Sequence, residues 1–153
     1  MQILCFTTKG KVFWLKVYEI PVASRTSKGR PLVNMLNLDD DERVSDILPV
    51  EEFSEDKFIF MATRKGITKK TNLSLFARKW KSGIKAINLD DDDRLIGTAI
   101  TDGTNEILLA ASSGKLIRFK ESKVRAMGRA ARGVKGMKSV SYTHLTLPTT
   151  YEV

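Results

Sequence analysis

The chain has 153 residues, 42% hydrophobic and 29% charged, about one ordinary domain of a composition that excludes global disorder and collagen-like structure. Its 26 Lys and Arg outweigh 18 Asp and Glu, for a net charge of +8 and a pI near 9.7. That balance favours polyanionic partners and decides nothing about fold. No stretch reaches the roughly 20 apolar residues of a membrane helix, and the start MQILCFTTKGK lacks the regions of a signal peptide. The lone Cys5 makes neither an internal disulfide nor a cysteine-based metal cluster, so the chain reads as cytoplasmic.

The first apolar run, Ile3 to Phe6, turns through Thr7 to Gly10 into Val12 to Lys16. This is the pattern of a β-hairpin whose glycine supplies a positive φ. The piece VYEIP then reads as irregular or one helical turn, and Leu32 to Leu36, after Gly29, as a third strand. An acidic turn at 39–42 leads into a fourth strand, Asp41 to Leu48. The order repeats. Phe58 to Ala62 pairs with Ile67 to Thr71 across Gly66, NLSLF follows with Asn72 as its cap, and Ile84 to Leu89 and Arg94 to Thr101 complete the unit. Ile107 to Ala110 pairs with Leu116 to Phe119 across Gly114, and SKVRAM follows with Ser122 as its cap.

The hairpin glycines lie 56 and 48 residues apart, and second glycines (Gly29, Gly83, Gly133) follow at offsets of 19, 17 and 19. LDDDERV at 38–44 recurs as LDDDDRL at 89–95. Four strands per unit with a period near 50 residues is the signature of propeller-like blades, and no segment sustains a helical period. The expectation is an all-β fold of about three four-stranded blades, at 1–48, 49–100 and 101–140, the third incomplete. Beyond Lys138 the Thr-rich SYTHLTLPTTYEV carries no acidic turn. Residues 141–153 are read as foreign to the repeat or as a poorly ordered terminus. That reading fails if they pair as an integral strand of the third unit.

Catalytic chemistry finds little support. The only histidine, His144, lies in that tail, which leaves no Ser-His-Asp or Cys-His pairing. Cys5, inside ILCF, reads as a small buried thiol. The carboxylates at 39–42 and 90–93 are consecutive and followed by Arg, whereas a calcium loop alternates its ligands, so they read as solvated turns. No metal site is expected.

Charge, by contrast, is patterned. Lys57 to Leu89 holds nine bases and no acid, Ile107 to Lys138 nine bases with Glu121 alone, and Lys9 to Arg30 six with Glu19 alone. Basic and acidic blocks alternate in phase with the structural repeat. A stacked repeat places equivalent segments on equivalent surfaces, so the basic blocks are expected to form one band that matches a long polyanion. The candidate contacts are Lys9, Lys11, Arg25, Lys28 and Arg30 in the first unit. In the second they are Arg64, Lys65, Lys69, Lys70, Arg78, Lys79 and Lys81, and in the third Lys115, Arg129, Arg132 and Lys135. Most aromatics fall in apolar strands, and only Trp80, in RKWKSG, sits openly among bases. Stacking platforms for single strands are therefore scarce, and duplex DNA held by its phosphates fits better.

MQILCFTTKGKVFWLKVYEIPVASRTSKGRPLVNML, FIFMATRKGITKKTNLSLF and GKLIRFKESKVRAMGRAARGVKGM resemble the C-terminal domains of the DNA gyrase A family over about residues 1 to 140. The resemblance implies a β-pinwheel, a six-bladed relative of the propeller that wraps duplex DNA around a basic rim. It also implies partners, gyrase B and a second copy of gyrase A, in a bacterial enzyme that supercoils DNA with ATP and Mg2+ used elsewhere. No cofactor is expected on this chain, which would carry about half a pinwheel. The family's glutamine-arginine-glycine box and catalytic tyrosine would lie upstream. Lys28-Gly29-Arg30 and Arg129 to Gly136 look like degenerate copies of the box, and no catalysis is expected of this chain. The C-terminal domain of topoisomerase IV is the nearest rival reading. A protein-interaction propeller is another, and it would need exposed apolar anchors on its rim.

Overall fold

A computed structural model describes the chain except for Arg30, residues 32–34, Lys81, 136–141 and 147–153, and gives the backbone alone for 142–146. Eleven strands are described among these residues: β1 (Gln2–Thr7), β2 (Lys11–Lys16), β3 (Val44–Val50), β4 (Phe58–Thr63), β5 (Ile67–Asn72), β6 (Ile84–Lys85), β7 (Leu95–Thr101), β8 (Glu106–Ala111), β9 (Leu116–Lys120), β10 (Val134–Lys135) and β11 (Tyr142–Thr146). The three expected hairpins are present, closed by Gly10, Gly66 and Gly114 at φ of 80°, 87° and 85°. A one-turn 3-10 helix follows each, at Val17–Glu19, Leu73–Phe76 and Glu121–Lys123. Asn72 caps the second through Ser74 N–H at 3.0 Å. Ser122 does not cap the third, because that turn starts one residue earlier and places Ser122 inside it.

The strands form three antiparallel sheets, ordered β3-β1-β2-β6, β10-β5-β4-β7 and β11-β8-β9. The expected third strand is where the structure departs from the sequence reading. Instead of Ile84 to Leu89, only Ile84–Lys85 is strand, and it pairs with the preceding unit's β2, Val12 opposite Ile84. Likewise β10 of the third unit pairs with β5 of the second. Each of these two sheets is thus completed by a strand from the next unit, and the expected boundaries at 48/49 and 100/101 do not separate the sheets. Leu32 to Asn34, most of the first unit's third strand, lie outside the described residues.

The tail also departs from expectation. Tyr142–Thr146 pairs with β8 on the side where β1 and β4 receive β3 and β7. The expectation that 141–153 stands apart from the repeat therefore fails for these five residues. Ladder pairing is made by backbone groups, so it is indifferent to the loss of charge pattern that set the tail apart.

Cores lie between the sheets. Leu4, Phe6 and Val12 pack against Ile59, Met61, Leu73 and Phe76, while Phe60 and Ala62 on the other face of β4 pack against Ile107, Leu109 and Ala111. Both faces of β4 are covered, which is why FIFMA reads as an unbroken apolar run. A third cluster, Cys5, Phe13, Leu15 and Leu36, lines the outer face of the first sheet.

Candidate nucleic-acid interface

The acidic turns are not merely solvated. They fold onto the hairpin turn of their own unit and neutralise its bases. Thr8 N–H donates to Arg43 O at 2.8 Å and Arg64 N–H to Arg94 O at 2.9 Å, the same bond in two units. Lys9 Nζ then lies 2.7 Å from Asp41 and 3.2 Å from Asp39, and Lys65 Nζ lies 2.5 Å from Asp92. Hydrogen bonds to Asp41 and then Asp39 hold the Lys9 ammonium above the usual lysine range, and Asp92 does the same for Lys65. Arg64 donates to Asp92 O at 3.0 Å, and Arg132 of the third unit pairs with Asp90 of the second. Glu42 is buried and accepts from Thr7 Oγ1 at 2.6 Å. Four of the expected phosphate contacts are therefore already partnered. Asp39→Asn combined with Asp41→Asn should release Lys9, and Asp92→Asn should release Lys65. We expect each variant to bind a polyanion about two- to threefold more tightly at low salt, an advantage that fades as salt screens exposed charges. A titration at low and at high salt, on the order of 0.05 M and 0.3 M, measures it.

Lys69 and Lys70 are not on the rim at all. Lys69 is fully buried in β5, and its Nζ donates to Ala86 O at 2.5 Å and to Arg129 O. It stitches the glycine-bearing segments of the second and third units together. Lys70 lies over the Phe58 ring at 4.8 Å and bonds Glu121 O at 3.3 Å, with the Glu121 carboxylate at 3.8 Å. Neither ammonium reaches solvent where a phosphate would lie, so both are corrected from contacts to internal ties. The cause is the donated strand: β10 and the segment before it lie across β5 and cover it.

Burial, with the Arg129 guanidinium beyond it, brings the Lys69 ammonium down to about 7. As a neutral amine its two hydrogens match its two carbonyl acceptors. The unfolded chain keeps that proton up to about pH 10.4. Between the two values the unfolded state binds more protons, so stability rises with pH and levels off above, by on the order of 1 kcal/mol per pH unit at most. Melting temperature should climb between roughly pH 7 and 9, and Lys69→Met should flatten that climb.

The remaining candidates stand outward. Arg25, Lys28, Arg78, Lys79, Lys115 and Lys135 are exposed, Lys11 and Arg129 half-buried, and among the described residues none of these is in an ion pair. Arg30 and Lys81 lie outside the described residues. One group of bases draws on all three units. Partial desolvation followed by the charge of the nearby Lys16 pulls Lys79 below the usual lysine range. Beside them the Arg78 guanidinium lies 4.4 Å, and that of Arg129 5.9 Å, from the Trp80 ring centroid. Trp80 is half-buried. Sequence reading missed Lys16 and Lys85. Lys85 stands two residues after Gly83 as Lys135 does after Gly133, so the repeat itself could have flagged it; Lys85 pairs with Lys11 across the β2–β6 ladder. For Lys16 no local signal exists, since Lys79 is 63 residues away.

Among the described residues no group of three or more His, Cys, Asp and Glu is placed to hold a metal. Cys5 is buried, and desolvation pushes its thiol up to about 11, the behaviour of a packing residue. No helix among the described residues is long and apolar enough to cross a membrane.

Blades completed by the following unit define a propeller-like module, with bases outside any ion pair gathered beside its second glycines. The family model described as DNA gyrase C-terminal domain, beta-propeller, matches residues 2–51, 57–102 and 105–141, and the chain belongs to that family. β11 lies beyond the match. The chain is 55% identical over 136 residues to DNA gyrase A of Haemophilus influenzae and 50% over 137 residues to that of Escherichia coli, covering 89% and 90% of this chain and 16% of each relative. Among solved structures, the C-terminal domain of DNA topoisomerase IV superposes with a TM-score of 0.87 at 31% identity, over 97% of this chain and 47% of that one. A DNA gyrase A C-terminal domain superposes at 0.77 over 95% and 47%; at 21% identity this likeness speaks for the fold alone.

Proposed function

We propose that this chain binds and wraps duplex DNA without regard to sequence, as part of a bacterial, cytoplasmic DNA gyrase A. In that assembly, with gyrase B and a second copy of gyrase A, it supports ATP-dependent negative supercoiling while itself carrying no catalytic group, with ATP and Mg2+ bound elsewhere. The observation that carries the reading is the contrast between bases cancelled by the acidic turns and the group of Arg78, Lys79 and Arg129, which no carboxylate pairs with among the described residues. The helices among the described residues are single 3-10 turns, too short to read a major groove, so phosphates are the natural contacts. Each neutralised phosphate releases counterions, giving a log-log salt slope of about −0.9 per contact. Fluorescence anisotropy with unrelated duplexes across a salt series should show equal affinities and a steep common slope. One preferred sequence, or a flat salt response, would overturn the reading.

The likeness to the topoisomerase IV domain favours a second reading, the same surface serving that enzyme's different wrapping role. The identities of 55% and 50% to gyrase A proteins weigh against it. Relaxing a plasmid in the presence of the chain separates them: a wrap that constrains supercoils shifts the linking number, whereas DNA bound without such a wrap does not.

A further inference from the structure

We infer that Trp80 is a positioning residue that holds Arg78 and Arg129, from two consecutive units, as one clamp for the phosphates of a duplex. The inference rests on the DNA-binding reading above and adds to it the element that organises the contact. Arg78 and Trp80 precede Gly83 of the second unit, and Arg129 precedes Gly133 of the third. The indole lies within cation–π range of both guanidinium groups, at 4.4 Å and 5.9 Å.

Two like charges brought to one ring repel each other, and among the described residues no carboxylate pairs with either. The ring compensates part of that repulsion, and an added anion would compensate the rest. A guanidinium on an indole still presents donor N–H groups around its edge, suited to phosphate oxygens. The backbone behind the clamp is fixed as well. Arg129 O accepts from the buried Lys69, whose other partner is Ala86 O of the second unit. Gly83 leaves no room for a side chain, since a Cβ there would lie 2.7 Å from the Phe13 ring. Arg129 is therefore anchored at its backbone, and both arginines are steadied at their heads. Such preorganisation raises affinity by reducing the side-chain entropy lost on binding.

The test measures duplex binding by anisotropy at about 0.1 M salt for the full chain and for W80L, W80M and W80F, each also in an R78Q/R129Q background. The clamp predicts that W80L and W80M weaken binding about five- to tenfold and that W80F, which keeps a π face, stays within about twofold. It also predicts that in R78Q/R129Q the same substitutions change nothing further, because Trp80 acts through the arginines. W80M keeps bulk at the site and decides the matter if W80L does not fold. Three results would overturn the inference: W80M binding like the parent, W80F losing as much as W80M, or the loss persisting in R78Q/R129Q. If the parent itself binds no duplex at low salt, the DNA reading falls and takes the clamp with it. A parent that binds while the tryptophan variants match it leaves the DNA reading standing and removes only the clamp.

Discussion

Arg78→Gln with Lys79→Gln is expected to weaken duplex binding about sixtyfold at roughly 0.1 M salt and to lower the salt slope by about two units. That size follows from counterion release. With a slope of about −0.9 per contact, binding at 0.1 M gains roughly eightfold over 1 M for each phosphate neutralised, so two lost contacts cost about sixtyfold. The difference should vanish near roughly 1 M salt. Replacing the same pair by Glu adds repulsion and should cost more at low salt with the same convergence. Both side chains are exposed, and the contacts named for them are Arg78 on Trp80 and Lys79 beside Lys16. The melting temperature should therefore move by no more than about a degree or two. Anisotropy titrations on two unrelated duplexes, with a thermal melt of each variant, check both halves. Parent-like binding by the Gln pair at low salt would mean that these bases form only a solvated face.

Gly133→Ala should be among the most damaging single substitutions, with a loss of about 3 kcal/mol or more and a fall in melting temperature of roughly 6–12 °C. Gly133 has φ of 89°, in the left-handed region that costs a residue with a Cβ about 1–2 kcal/mol. A Cβ there would also lie 2.5 Å from the backbone O of Thr68 and 3.1 Å from Cβ of Lys69. Strand backbone cannot step aside as a flexible side chain would. The short β10 ladder to β5, and with it the Lys69 bond to Arg129 O, would have to give way. Gly114→Ala is the matched control. Its φ is 85° but no heavy atom lies within 4 Å of the added Cβ, so only the backbone cost of about 1–2 kcal/mol remains. Equal losses for the two variants would show that the contact across units adds nothing.

Much of the architecture was legible along the chain. The three hairpins, their positive-φ glycines, the 3-10 turn after each and the buried character of Cys5, Phe13 and Phe60 follow from local rules. A tight turn needs its glycine and a strand covered on both faces needs an apolar run, wherever these stand in the fold. The outward bases beside Gly83 and Gly133 were legible for a related reason, since a repeat places equivalent residues on equivalent surfaces.

What the chain by itself could not reveal depends on neighbours far away in sequence. Ile84–Lys85 is a strand by local preference, but the strand it pairs with belongs to the preceding unit. Lys69 and Lys70 look like two more bases of a basic block, yet third-unit residues between Glu121 and Arg129 lie against them and turn them into internal ties. Lys9 and Lys65 look free until the acidic turns, 30 and 27 residues on, fold back to neutralise them. Side-chain type and local period determine whether a residue can be strand, turn or core. Whether a charge meets water, a carboxylate or a carbonyl is decided only by what the tertiary structure brings against it, because solvation and pairing depend on distances that sequence spacing does not contain.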